Sequence, residues 1–276
     1  MRYSVSTYSF GGYASRGVPF MIDEAARLGF DGIEYCIDGG FSDDELRSFS
    51  KRARDAGLLP VCSCVGADFL NCESVDAECQ KVEGEIRRAA ILGVPLLRHD
   101  ISRGLSGKLS AGDYEVALPV LADACRRIAE FARGLGVRTC TENHGYFSQD
   151  AARVLSLYRA VSDDNFGLLC DIGNFMCADG DPVASVAAVA PYAVHVHAKD
   201  FFFSRGKEPR GGGWFPTRGG DFLKGAIIGE GDARVGESLA VLRSAGYDGF
   251  VTVEFEGSED NIEGIARGLR YLTNVK

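Results

Sequence analysis

The chain has 276 residues, 46% of them hydrophobic and 25% charged, enough to bury a sizeable core as one large or two small domains. A formal net charge of −9 argues against electrostatic capture of nucleic acid, which needs a basic face. No apolar run approaches the roughly 18 residues of a membrane span, and Met1-Arg2-Tyr3-Ser4-Val5 enters a strand pattern at once, without a signal-peptide core. These features predict a soluble, cytoplasmic protein with neither nucleic acid nor membrane as a partner.

Tyr3–Phe10 reads as a first strand, followed by a Gly-rich loop (Gly11, Gly12, Gly17) and a helix that opens at Pro19 and stops at Gly29. Asp31–Ile37 is the second strand, Asp43–Ala56 a helix closed by Gly57, and Leu58–Val65 the third strand. A longer helix, Val75–Leu92, ends at Gly93 and leads into strand four, Pro95–Ile101. Asp113–Leu135 is helical with Gly136 as its stop, and Arg138–Glu142 is strand five. Helix Gln149–Val161, strand six at Phe166–Asp171, the short helix Pro182–Ala190 and strand seven at Ala193–Asp200 follow. A long connection rich in Gly, Phe and Arg, Phe201–Asp232, precedes helix Gly236–Ala245, strand eight at Phe250–Phe255 and a final helix, Asn261–Leu272.

Strict strand–helix alternation gives a parallel sheet with helical crossovers, and eight units are the number that closes a (β/α)8 barrel. The expected fold is therefore α/β: one TIM-barrel domain over 1–276, with an inserted loop at 201–232 after strand seven. A doubly wound open sheet is the alternative, but it gives no reason for polar residues at so many strand ends. Leu28-Gly29-Phe30-Asp31-Gly32 and Ala245-Gly246-Tyr247-Asp248-Gly249 are alike, each ending a helix with Gly and turning into a strand at the N-terminal rim. The nine cysteines are odd in number and contain no C-x-x-C pair. Cys62 and Cys64 share one side of a strand, while Cys36, Cys140 and Cys170 sit in other apolar strand segments. Buried, reduced thiols are expected rather than disulfides or a Cys-rich zinc site.

Strand seven carries His195, His197 and Lys199 on one side, because strand side chains alternate. Three other strands also end in polar residues: Thr141-Glu142-Asn143-His144-Gly145, Cys170-Asp171-Ile172-Gly173-Asn174 and Val253-Glu254-Phe255-Glu256-Gly257. Barrel active sites lie at the C-terminal strand ends. Carboxylates converging there repel and raise one another's pKa unless a cation sits between them. Oxygen-rich ligation with one imidazole suits Mn²⁺, Mg²⁺ or Co²⁺ better than a thiolate zinc site. Alternation does not choose between His195 and His197.

The motifs Gly29-Phe30-Asp31-Gly32-Ile33-Glu34, Glu142-Asn143-His144, Asp171-Ile172-Gly173-Asn174, His195–Asp200 and Gly246–Glu254 occur in this order along eight units. In them the sequence resembles the sugar phosphate isomerase/epimerase superfamily, the xylose isomerase-like barrels, which include ketose 3-epimerases, inosose isomerases and dehydratases, and apurinic endonucleases. The resemblance implies one divalent metal, Mn²⁺ first, with Mg²⁺, Co²⁺ or Zn²⁺ as alternatives. It implies Glu142, Asp171, His197 and Glu254 as the ligands, with Glu254 preferred over Glu256 and His195 a deeper, hydrogen-bonded barrel residue. It further implies an isomerase or epimerase acting on a ketose, keto-cyclitol or sugar derivative through an enediolate, in which Glu142 and Glu254 remove and return a proton on opposite faces. A metal-dependent lyase of the inosose or dehydroshikimate dehydratase type is the alternative. A DNA-repair endonuclease would need more ligands than four histidines allow, and a non-catalytic binding barrel is the remaining class. A homodimer or homotetramer is the family expectation.

Candidate substrate contacts are Glu34, His99, His144, Asn174, Lys199, Trp214 and Arg218. Glu34 contacts substrate, orients a neighbour or forms a structural salt bridge. Asn174 stands where many ketose epimerases carry a substrate-binding His. His144 and Lys199 point into the pocket or decorate its rim, and of Arg98 and His99 only one can face inward. The 201–232 insertion, with Trp214, the three phenylalanines at 201–203, Phe215, Arg210 and Arg218, is either a lid stacking on a sugar or aromatic aglycone or a dimer contact. Gly229-Glu230-Gly231-Asp232 lacks the Lys of a P-loop and reads as a turn.

Overall fold

The computed structural model describes residues 1–37, 40–102, 113–207 and 209–275. In chain order it contains β1 (Arg2–Ser6), α1 (Gly17–Leu28), β2 (Gly32–Tyr35), α2 (Asp43–Asp55), β3 (Leu59–Val65), α3 (Val75–Leu92) and β4 (Leu96–His99). Then come α4 (Tyr114–Arg133), β5 (Arg138–Glu142), α5 (Ala151–Val161), β6 (Phe166–Asp171), α6 (Asn174–Cys177), α7 (Pro182–Val189) and β7 (Ala193–Ala198). The chain finishes with β8 (Asp200–Ser204), β9 (Trp214–Pro216), β10 (Phe222–Ala226), α8 (Val235–Ser244), β11 (Phe250–Val253) and α9 (Asn261–Asn274). Eight parallel strands close a barrel in the order β1-β11-β7-β6-β5-β4-β3-β2, which is the expected TIM barrel.

Local signals explain the helix limits. The Ser74 side chain accepts from Ala77 N–H to start α3, and Gly93, at φ 69°, ends it. Ser42 and Glu45 form a capping box at α2. The two similar Leu/Ala-Gly turns place Gly29 and Gly246 at φ 88° and 85°, the left-handed region that favours glycine, and each leads directly into a barrel strand.

The sequence reading departs from the structure in three places. Thr7–Arg16 is a 3₁₀ segment, not the end of β1 and a loop, and it opens with the Ser6 side chain accepting from Tyr8 N–H. Strand seven breaks after Ala198. The described part of the 201–232 insertion (residue 208 lies outside the described residues) is no simple loop but a three-stranded antiparallel sheet in the order β8-β10-β9. All nine cysteines are free thiols. Among the described residues no helix is long and apolar enough to cross a membrane.

Two apolar clusters divide the strands by parity. The larger, including Val5, Ile33, Leu97, Phe166, Val196 and Val251, fills the layer between strands and helices. The smaller, with Cys62, Cys64, Leu96, Cys140 and Leu169, lies inside the barrel. Because Leu96 faces inward, so does Arg98, and His99 points to the helix layer between the Phe69 and Phe166 rings. That corrects the expectation that His99 meets substrate. Burial lowers His99 to about 4, so folding binds it neutral. Its folded pKa lies below the unfolded value, so the stability it carries is complete above about pH 6.5 and is lost as pH falls towards 4. The loss should reach about 3 kcal/mol. Urea unfolding across this window should show a steeper acid decline for the wild type than for His99→Gln; parallel curves would refute the assignment.

Candidate metal centre and active site

Glu142 ends β5, Asp171 ends β6, His197 lies on β7, and Glu254 follows β11 directly. All four are buried, and one ligand atom from each lies within 4.8 Å of the others. His197 Nδ1 is 3.5 Å from Glu254 Oε2 and 3.9 Å from both Glu142 Oε1 and Asp171 Oδ2.

Each member is aimed by a neighbour. Asn143 straps β5 to β6 twice, donating to Asp171 O and accepting from Asp171 N–H, both at 2.9 Å. Asn174 donates its backbone N–H to Asp171 Oδ1 at 2.9 Å and its side-chain amide to Glu142 Oε1 at 2.7 Å. Arg98 Nη2 reaches Glu142 Oε2 at 2.6 Å and Asp100 Oδ1 at 2.8 Å. Below the cluster, Glu34 Oε2 takes His197 Nε2 at 2.9 Å and His195 Nε2 at 3.0 Å. His195 also meets Thr252 Oγ1 at 2.9 Å, and Thr252 meets Ser4 Oγ at 2.7 Å. A chain of polar contacts thus rises through the barrel interior to His197. With Nε2 committed to Glu34, His197 Nδ1 faces the carboxylates, the arrangement a metal-bound histidine takes.

The donor set fits a divalent cation. Asp171 Oδ2 and His197 Nδ1 are buried without a hydrogen-bond partner and both face the centre of the quartet. Burial, then Glu142 and Glu254, push Asp171 up to about 7 against the pull of Lys199. A carboxyl held there between two others is one from which a divalent ion displaces a proton. Burial works against the charge on Glu254, but Lys199 and His197 hold it well below the usual carboxylate range. Lys199 is buried, with Nζ 2.5 Å from Glu254 Oε2, 3.2 Å from Glu256 Oε1 and 3.4 Å from Asp171 Oδ2.

Above the quartet lies a cavity of about 600 Å³, whose walls include Tyr8, Cys36, Cys64, Arg98, Glu142, His144, Lys199, Glu254 and Glu256. His144, its Nδ1 2.9 Å from Asp100 Oδ1, stands half-exposed at this wall. A smaller space beside it is lined by Asn174, Lys199 and Phe215, and a larger apolar cleft shares Tyr8, Cys36, Ile37 and Glu256 with the cavity.

Of the sequence candidates, Glu142, Asp171, His197 and Glu254 come together, with His144, Asn174 and Lys199 around them. Glu34 lies beneath, fully buried, where it orients His197. Trp214 and Arg218 are not among the side chains lining these cavities. On β9 the alternation turns Phe215, not Trp214, towards the site. Arg218 instead fastens the small sheet to the barrel through Asp150 Oδ2 and Tyr146 O. Tyr8 and Asp100 were not singled out in the sequence, and Phe215, named there only as one aromatic of the 201–232 insertion, is the one that reaches the site. Arg98, left there as the alternative to His99, takes the inward position.

The structure is thus a (β/α)8 barrel whose C-terminal rim buries a carboxylate–imidazole cluster able to hold a metal ion. The chain belongs to the xylose isomerase-like TIM barrel family, whose model matches residues 22–275. It is 31% identical over 266 residues to the rhizopine catabolism protein MocC of Rhizobium meliloti, spanning 85% of this chain and 78% of that protein. Its fold is also that of the probable 3-DHS dehydratase AsbF of Bacillus anthracis, at TM-score 0.78 and 19% identity over 100% of both chains. The D-psicose 3-epimerase of Clostridium cellulolyticum H10 superposes at TM-score 0.77 with 15% identity, over 100% of this chain and 99% of that one.

Removing the charge beneath His197 tests the aiming role directly. Glu34→Gln should weaken divalent-metal affinity about 10- to 100-fold, measured by competition with a chromogenic chelator. Unchanged affinity would mean that Glu34 does not orient His197.

Proposed function

We propose that the protein is a divalent-metal-dependent isomerase or epimerase that removes and returns a proton beside the carbonyl of a ketose, keto-cyclitol or sugar derivative. The observation carrying this reading is the convergence of Glu142, Asp171, His197 and Glu254 around two buried ligand atoms, Asp171 Oδ2 and His197 Nδ1, that have no hydrogen-bond partner. Those four residues would hold the ion, which when bound polarises the substrate's carbonyl and neighbouring hydroxyl and acidifies the adjacent C–H.

The chain's own residues supply the rest. Glu254, kept ionised by Lys199 and His197, takes the proton from one face. Glu142 approaches from β5, two strands around the barrel from β7, and returns a proton on the other face. Arg98 and Asn174 fix its carboxylate. Lys199 and His144 border the cavity, where they bind substrate hydroxyls. The apolar cleft beyond Tyr8, walled partly by Phe215 and Phe255, receives the less polar end of the substrate. MocC is by name a rhizopine catabolism protein, which is consistent with a small-molecule substrate.

A lyase begins with the same proton removal, and one observation favours it. His144, held by Asp100 at the cavity wall, is placed to pass a proton to a departing hydroxyl. Incubation with Mn²⁺ in D₂O on a panel of ketoses and keto-cyclitols distinguishes the two. Epimerisation with solvent deuterium in the product supports the isomerase, and an absorbing enone supports the lyase. Neither product across the panel, with metal bound, would overturn both.

A further inference from the structure

A second group of ligand-type side chains lies beside the first and takes no part in the proposed proton transfer. Glu34, Cys36 and Cys64 bring one carboxylate oxygen and two sulfurs within 4.8 Å of one another. Their placement follows from the barrel: after a register shift between Ile33 and Glu34, β2 and β3 pair Glu34 with Cys62 and Tyr35 with Ser63, and the next step brings Cys36 beside Cys64. Cys36 is fixed by its backbone N–H donating to Thr7 Oγ1 at 2.8 Å, with Ser6 Oγ 3.4 Å from its sulfur.

The independent mark of a ligand is on Glu34. Its Oε2 serves both histidines, whereas Oε1 is buried with no hydrogen-bond partner. An ionised oxygen left so in a barrel interior is costly unless a cation meets it. Both thiols also line the cavity, so the fourth side of the group is open.

We propose that Glu34, Cys36 and Cys64 form a second cation site, selective for a thiophilic divalent metal such as Zn²⁺, opening onto the catalytic cavity. Two thiolates and a carboxylate with an open fourth position suit such an ion, whereas the oxygen-rich quartet suits a harder one. Uptake forms two metal–sulfur bonds and releases two thiol protons to solvent, with no change of oxidation state. The contact with Cys64 and burial push the Cys36 thiol well up, and burial does the same for Cys64, so the pair resists oxidants that attack thiolates. Because Glu34 also grips His197, a metal held here is felt at the first cluster.

The test is a titration of the reduced, full-length protein with Co²⁺, which reports sulfur ligation by a thiolate-to-cobalt charge-transfer band in the near ultraviolet. About two equivalents should bind, and the band should accompany one of them. Cys36→Ser and Cys64→Ser, each a conservative change, should remove the band and one equivalent while leaving the other. Glu142→Gln, which alters only the first cluster, should keep the band, so failure of the proposed reaction does not mimic failure here. No sulfur band in the wild type, a band that survives in both cysteine variants, or one that grows only at millimolar cobalt would overturn the proposal.

Discussion

Glu254→Gln should lower kcat by about 10²- to 10⁴-fold, the usual contribution of a positioned proton-transfer group. The amide keeps an oxygen directed at the cluster but cannot accept a proton, and Lys199 Nζ, 2.5 Å from Oε2, loses its closest counter-charge. The companion Glu142→Gln should fall by a similar factor, and the pair together discriminates the mechanism. With one base removed, a two-base epimerase still exchanges the substrate proton with solvent from one epimer, while interconversion stops. Deuterium exchange followed by NMR on each epimer reads this out. If both variants keep activity within about tenfold of wild type while binding metal, the two glutamates are not the proton carriers.

The second large effect is on stability, at the residue where strand seven gives way to the small sheet. Asp200 is buried, and its carboxylate accepts four backbone N–H groups: Phe201 at 2.9 Å and Ala233 at 3.0 Å on Oδ1, and Gly229 at 2.8 Å and Gly231 at 3.1 Å on Oδ2. The 229–232 stretch, expected to be a turn, is therefore wrapped around a side chain that precedes it by some thirty positions. Gly231 is glycine because a Cβ there would meet Asp200 Oδ1 at 2.4 Å and Phe201 O at 2.6 Å. Asp200→Ala strands those donors. At about 1–3 kcal/mol for each left unmet, and with water relieving some, the loss should be about 4 kcal/mol, or about 10 °C in Tm for a chain of this size. Asp200→Asn, which keeps one acceptor oxygen, should lose roughly half as much. Thermal and urea unfolding measure both, and an Asp200→Ala loss under about 1 kcal/mol would show that the cage is not what holds the return to α8.

This site also separates what could be read in the sequence from what could not. The alternation of eight units and the glycine stops are local, so each could be read from a few neighbouring residues. The quartet Glu142, Asp171, His197 and Glu254 was legible for a related reason. Polar residues ending otherwise apolar strands have no packing explanation, and the barrel carries all such ends to one rim. The choice of His197 over His195 came from family resemblance rather than from the strand pattern.

What tertiary structure decided was non-local. Leu96 and Leu97 are both apolar, so no pattern within β4 tells which face is inward; closure of the barrel places Arg98 in the cavity and His99 outside it. β9 is three residues long, too short to alternate visibly, and it is defined only by pairing with β10, which turns Phe215 rather than Trp214 to the site. Glu34 read as a substrate contact because its strand position is right, but from β2 it meets the Nε2 atoms of His195 and His197 on β7, strands distant in the chain, and is fully buried. The sequence by itself thus determined the barrel and the set of groups that a cation would need. Only the packing of strands distant in the chain decided which of those groups face one another, because direction inside a barrel is a property of its closure.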